Sequence, residues 1–259
     1  MLEVIEVLYP GVVYLAKYIP GSRIDTPDLE GLGSSPLVVK VIYSGIAAEG
    51  YGDTIHQHLA MHDMAPKYFF SFDVKLASLP NDLVPIESHH VMEYLPPPSN
   101  ESPGWISLLE LEEQFPKVAS MSKEEIKNAL FNVIHVLREK NFVHADFRPN
   151  NLLIFVQIIT GPDGKTCVIQ KRPSDPSLPY LKVIDFDWAG VADHAIYPLN
   201  RNPDVLWPGK DGMPISLDDD KKMIKSWMEH WPSQVLVPVS VPDMVERGEE
   251  TVTLQIRRV

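Results

Sequence analysis

Between His144 and Asn151 the chain reads HADFRPNN, and Asp185 stands 34 positions beyond the end of that segment, followed by Phe186 and Asp187. The first segment sets an arginine two residues after Asp146 and an asparagine five residues after it. A lone Asp146 would read as a turn residue. Asp146, Arg148, Asn151 and Asp185 in this order read as an array for phosphoryl transfer. That chemistry needs one carboxylate to orient an attacking hydroxyl, an amide and a second carboxylate to hold Mg²⁺, and a cation to offset charge on the moving phosphate.

The flanking elements must hold these groups in place. Val12–Leu15 and Leu37–Tyr43 are rich in β-branched and aromatic residues and read as strands, with a Gly/Pro/Ser/Asp-dense loop between them. Asp53 to about Met64 has helical spacing. SHHVMEYL reads as a strand that stops at Pro96–Pro98, which sets a boundary near residue 95. Residues 122–140 form the clearest helix, with Ile126, Leu130, Val133, Ile134 and Leu137 as its apolar stripe and Ser122 with Glu125 as a capping box. Residues 160–180 read as a Pro/Gly/Asp-rich excursion. Tyr180–Phe186 reads as a strand delivering Asp185, and Asp218 to about Trp231 as a helix. The tail alternates at Val235, Val237, Val239 and Val241.

Composition narrows the class. With 35 acidic against 23 basic residues the net charge is −12, a poor balance for neutralising nucleic-acid phosphates. No apolar run approaches the roughly 20 residues of a membrane span. Cys167 is the single cysteine, so no disulfide can form within the chain, and Glu3 and Glu6 stand where a signal peptide would be basic and then apolar. The expectation is a cytoplasmic protein without nucleic-acid or membrane partners. His58 and His62 sit four residues apart, but Leu59 occupies the place of the glutamate in an HExxH zinc site.

HADFRPNN and IDFD resemble the HRD-x-K-x-x-N and DFG segments of the protein-kinase superfamily. PLVVKVIY resembles its V-A-x-K strand, GVVYLAKY the end of its glycine-rich loop, and VMEYL its hinge. The pattern YG…H…LA…AP, VHADFRPNN, DFDWAG, YPLN and WP looks like a group of fungal kinase-like proteins with aminoglycoside/choline-kinase-type features. The resemblance implies a two-lobed α+β fold. Residues 1–95 would form an ATP-binding lobe of strands plus one helix, and residues 96–259 a mainly helical lobe, shortened because 72 residues follow Asp187. It implies Asp146 as catalytic base, Arg148 as phosphate-facing cation, and Asn151 and Asp185 as Mg²⁺ ligands. Lys40 would meet the ATP phosphates, with Val13 and Val38 against adenine. Met92 would be the gatekeeper, with backbone groups of Glu93 to Leu95 serving the base.

Two departures stand out. Glu6 and Leu8 replace the earlier glycines, so the phosphate-covering loop is degraded. Ala145 replaces the arginine that gathers a phosphorylated activation loop, and between Asp187 and Ser216 Tyr197 is the single hydroxyl side chain. Asp53 is the candidate acidic partner of Lys40, with a plain helix N-cap as the other reading. Asp220 is the candidate carboxylate tying down the catalytic loop, with Asp218 and Asp219 competing. The implied activity is ATP-dependent phosphotransfer to a hydroxyl, protein kinase activity first. A small-molecule kinase and a nucleotide-binding pseudokinase acting as an interaction module are the alternatives.

Overall fold

The computed structural model describes residues 2–9, 12–18, 35–43, 51–75, 86–162, 164–199 and 201–232. The loop between Val12–Leu15 and Leu37–Tyr43, Gly11 and the alternating tail lie outside the described residues, apart from the loop's ends.

The chain opens with β1 (Leu2–Tyr9), β2 (Val13–Tyr18) and β3 (Pro36–Tyr43), then helix α1 (Asp53–Met61), β4 (Tyr68–Lys75) and β5 (Ile86–Glu93). These strands make one antiparallel sheet in the order β1-β2-β3-β5-β4. Side chains alternate faces along a strand, so β3 serves two purposes. Leu37 and Val39 are buried with Ala16 and Val91 in a small core. Val38 and Lys40 share the opposite face, and register extends that face across the sheet. Val13 and His90 flank Lys40, while Leu15 and Met92 flank Val38.

The chain continues through β6 (Gly104–Ser107), α2 (Leu108–Gln114), α3 (Pro116–Met121), α4 (Lys123–Arg138) and β7 (Phe142–Val143). The five expected stripe residues of α4 are all buried in the largest core, each contributing on the order of 1.5–3 kcal/mol of transfer free energy. The capping box, however, belongs to α2. Glu110 N–H donates to Ser107 Oγ (3.1 Å) and Ser107 N–H donates to Glu110 Oε2 (2.8 Å). Ser122 makes no side-chain cap, because α3 runs directly into α4 there and Ser122 N–H already donates to Val118 O.

The stretch expected as an excursion is instead a strand system. β8 (Leu152–Gly161) turns into β9 (Gly164–Ile169), and β10 (Lys171–Arg172) pairs with β11 (Asp175–Pro179). β12 (Leu181–Val183) returns antiparallel to β8, and β13 (Gly190–Val191) pairs with β7. Helix α5 (Asp219–His230) closes the described chain. The part expected to be mainly helical therefore carries eight strands, β6 to β13, beside four α-helices among the described residues. Long-range β pairing overrode the Pro/Gly signal of 160–180. The fold class is α+β, with antiparallel sheets.

Candidate active site

The catalytic-loop candidate lies between β7 and β8, and three anchors fix it. Asp220, buried at the start of α5, accepts the backbone N–H of His144 and of Ala145, both at 2.8 Å. That settles the choice among the three aspartates. Asp218 pairs with Arg138, and Asp219 accepts from Ser216 and Lys222. Burial pushes the Asp220 carboxyl up to about 7, against the pull of its two N–H donors. His144 is fully buried. Asp146 N–H donates to its Nδ1 (3.3 Å), so the ring proton sits on Nε2 and is donated to Ile184 O (3.1 Å). Trp227 of α5 donates from Nε1 to Phe147 O (2.7 Å).

Held this way, Ala145 takes φ +70°, and Asp185 across the site takes the same value. A non-glycine residue in this region costs of order 1–3 kcal/mol and persists where its surroundings over-determine it. Asp63, Asn141 and Asp193 also take positive φ, and Ala145 and Asp185 are the two that lie at the sequence-predicted chemistry.

Asp146 is 3% exposed. Arg148 grips both of its oxygens, Nε to Oδ1 at 2.5 Å and Nη2 to Oδ2 at 2.6 Å, and Asn151 Nδ2 adds a bond to Oδ2 at 2.8 Å. Burial raises the Asp146 pKa and the arginine resists that rise. The Arg148 guanidinium lies over the Trp207 ring (5.2 Å), which also meets the Arg201 guanidinium (5.0 Å). Arg201 in turn covers Tyr197, which is 1% exposed. The one hydroxyl of this segment is thus sealed in its core. Arg148, expected to face phosphate, is committed to Asp146.

Lys40 is buried and forms ion pairs with Asp185 and with Asp187 (2.5 Å). Burial alone would lower its pKa, but the two carboxylates outweigh burial and raise it. The same lysine holds Asp185 below the usual carboxylate range despite burial, while Asp187 is pushed up by burial and by Asp185. Apart from Lys40, Asp187 Oδ1 has no hydrogen-bond partner among the described residues and is removed from solvent.

Asp53 corrects the expectation. It neither pairs with Lys40 nor caps α1, since the N-cap position is Gly52. Its Oδ1 stands 2.9 Å from His90 Nδ1, and its Oδ2 accepts from Ser71 Oγ (3.3 Å). The physical reason is register. His90 stands directly across from Lys40 on β5 and takes the acid at the start of α1, leaving Lys40 to the carboxylates of the Asp185 segment.

Lys40 and its two carboxylates lie on the wall of a cavity of about 650 Å³. Val13, Val38, Met92 and Leu153 supply apolar walls, and Lys40, Asn151, Asp185 and Asp187 gather as polar lining, with Glu93 and Leu95 also on the wall. Among the described residues nothing takes the Leu95 N–H. The Glu93 side chain accepts from Lys182 (3.1 Å) and from Lys67 N–H (3.0 Å). Asp53, Asp146 and Arg148 do not line this cavity.

No protein-family model matches the chain, and no curated protein is significantly similar to it.

Sequence reasoning missed Asp187 as a partner of Lys40, along with His90 and the contact of Arg148 with the Trp207 ring. The spacing of Asp187 two residues after Asp185 was a signal for the first. The other two depend on register and loop packing, which leave no mark on spacing. Among the described residues no three His, Cys, Asp or Glu side chains converge on a metal position. The carboxylates of Asp185 and Asp187 meet at Lys40, and Asn151, whose Oδ1 accepts from Asn150 Nδ2 (3.0 Å), lines the same cavity. Such hard oxygens, with Asp187 Oδ1 removed from solvent and partnered by Lys40 alone among the described residues, suit Mg²⁺.

Proposed function

We propose that this protein is an ATP-dependent phosphotransferase of two-lobed, kinase-like architecture acting on a hydroxyl acceptor. The observation that carries the reading is the polarity of the cavity: apolar walls, and a wall where one buried lysine meets two carboxylates with an amide also on the lining. Protein kinase activity and small-molecule kinase activity are the two narrower forms of this reading.

In this reading Asp185 and Asn151 would hold Mg²⁺, with Asp187 beside them, and the ion would supply screening of the phosphate charge. Lys40 turns from its carboxylates to the α- and β-phosphates. The acceptor oxygen attacks the γ-phosphorus as the bond from that phosphorus to the β–γ bridging oxygen breaks. ADP leaves with the electron pair, and the acceptor proton passes to Asp146. Arg148 must yield one Asp146 oxygen for that transfer, and its charge then lies close to the departing phosphate.

Thermal-shift titration with ATP, with and without Mg²⁺, tests the reading. A ligand that binds only the native state raises its melting temperature by mass action. The expected result is a Mg²⁺-dependent rise that Asp185→Asn abolishes while its unliganded melt stays cooperative. No rise with Mg-ATP in the wild-type protein would overturn the proposal.

A further inference from the structure

A second cavity, of about 430 Å³, lies against the catalytic loop at Arg148, Pro149 and Asn150. It shares Asn150 with the nucleotide-side cavity, and Arg148, the residue gripping Asp146, forms part of its wall. The two cavities thus meet at the loop that carries the proposed base. The second is built mainly from apolar groups. Met223 and Trp231 are buried and form its floor, Trp227 is half-buried, and Leu206 stands exposed at its edge. Trp231 is 2% exposed, yet its Nε1–H has no acceptor among the described residues. A buried N–H without an acceptor is costly and rare, and it is relieved by any ligand oxygen within reach. Asp204, exposed at the rim, opposes anions.

From this we infer that the second cavity is the acceptor site, and that the acceptor is a small, uncharged alcohol with an aromatic or otherwise apolar body. It carries a second oxygen, of ether or carbonyl type, that accepts from Trp231 Nε1. The inference rests on the phosphotransfer reading and narrows it. The hydroxyl lies toward Arg148 and Asn150 and attacks the γ-phosphorus. Its proton goes to Asp146, the bond to the β–γ bridging oxygen breaks, and the products are a phosphate monoester and ADP. A peptide chain, with its many backbone donors and acceptors, suits this largely apolar surface poorly.

The test uses two probes of nearly equal shape, 2-(4-methoxyphenyl)ethanol and 2-(4-ethylphenyl)ethanol, followed by saturation-transfer NMR without nucleotide. A single hydrogen bond of ordinary net strength predicts that the methoxy probe binds the wild-type protein about three- to tenfold more tightly. Trp231→Phe, which keeps a ring and removes the N–H, should erase that preference. Leu206→Asp, at the exposed edge where folding is not at stake, should weaken both probes. Failure of the wild-type protein to bind either alcohol, or binding that Leu206→Asp leaves unchanged, overturns the acceptor site. An equal affinity for the two probes overturns the role of Trp231, and with it the second oxygen. A ³¹P experiment with Mg-ATP separates the two levels of inference. Probe binding without transfer, in a protein that still shows the Mg²⁺-dependent rise with ATP, overturns the cavity as acceptor site, and the same result without that rise overturns the phosphotransfer reading. Transfer to a peptide hydroxyl without probe binding overturns the cavity assignment alone.

Discussion

At the scale of single residues, charge pairing decides what each candidate can do. Asp146 sits buried between Arg148 and Asn151, so its carboxylate is oriented before any acceptor arrives. Asp146→Asn should lower turnover by about 10²–10⁴-fold, the usual size of a general-base contribution, with nucleotide affinity little changed. Single-turnover phosphate transfer alongside a nucleotide titration checks both halves. A different pH effect follows from His56, fully buried in α1. Tyr51 donates to its Nδ1 (2.8 Å), its Nε2 donates to Pro66 O (2.8 Å), and its ring stacks on Phe186. Burial lowers its pKa from 6.5 to about 4. A base depressed in the folded state contributes stability that is present above pH 6.5 and lost as pH falls through 4. Asp220 and Asp187, raised by burial, act in the opposite sense over much of the same window, so the bulk slope is shallow. His56→Phe isolates the histidine. Its fixed cost is the loss of two hydrogen bonds, but relative to wild type it should gain about 2–3 kcal/mol between pH 7 and 4.5. Urea melts at the two pH values measure the difference, and an unchanged gap would remove His56 from the account.

At the scale of elements, α5 matters because its first turn reaches the catalytic loop. One carboxylate, Asp220, answers two N–H groups that point the same way. An amide offers one oxygen, and its NH₂ must face the second donor. Asp220→Asn should therefore destabilise by about 1–3 kcal/mol. It should also reduce turnover, because the strained Ala145 is fixed by that bond. Denaturant midpoints give the first effect, and turnover normalised to folded protein gives the second. The segment after Asp187 needs no phosphate to hold its shape. Tyr197 is sealed by Arg201, whose guanidinium also bonds Asp211 (2.7 Å) and Gly209 O (2.8 Å), while Trp188 packs on Trp207 at 5.1 Å.

At the scale of the whole molecule, the five-stranded sheet and the Asp185 segment are joined by Lys40 and by the start of α1. Gly52 N–H donates to Phe186 O (2.9 Å), and a Cβ at Gly52 would stand 2.8 Å from both Ala189 Cβ and Ala189 O. The close approach requires glycine because the nearest atoms include backbone that cannot swing away. Gly52→Ala should cost about 1–3 kcal/mol by overpacking. By pushing α1 off the Phe186 segment, it should also weaken nucleotide binding beyond what lost stability explains. Binding measured well below the melting temperature distinguishes the two effects, and unaltered affinity would show that the junction does not govern the cavity.

The strands β2, β3 and β5, the helices α1, α4 and α5, and the order of Asp146, Arg148, Asn151 and Asp185 were all legible in the sequence. Each rests on local periodicity or short spacing, which the chain carries in one dimension. The burial of Lys40 beside Asp185 was legible only as a need for some acid. Asp53 and Asp187 are both aspartates near the right elements, and nothing in spacing separates them. The choice was made by β3–β5 register, which sets His90 against Lys40 and gives Asp53 another partner. The strand system of 160–179 was likewise hidden, because Pro and Gly mark turns without saying what pairs across them. The capping box moved from Ser122 to Ser107 because two helices abut where one start signal was read. Local pattern fixed which groups exist and how they are spaced along the chain. Tertiary packing decided which charges meet, because an ion pair between residues 145 positions apart depends on the path of the backbone between them.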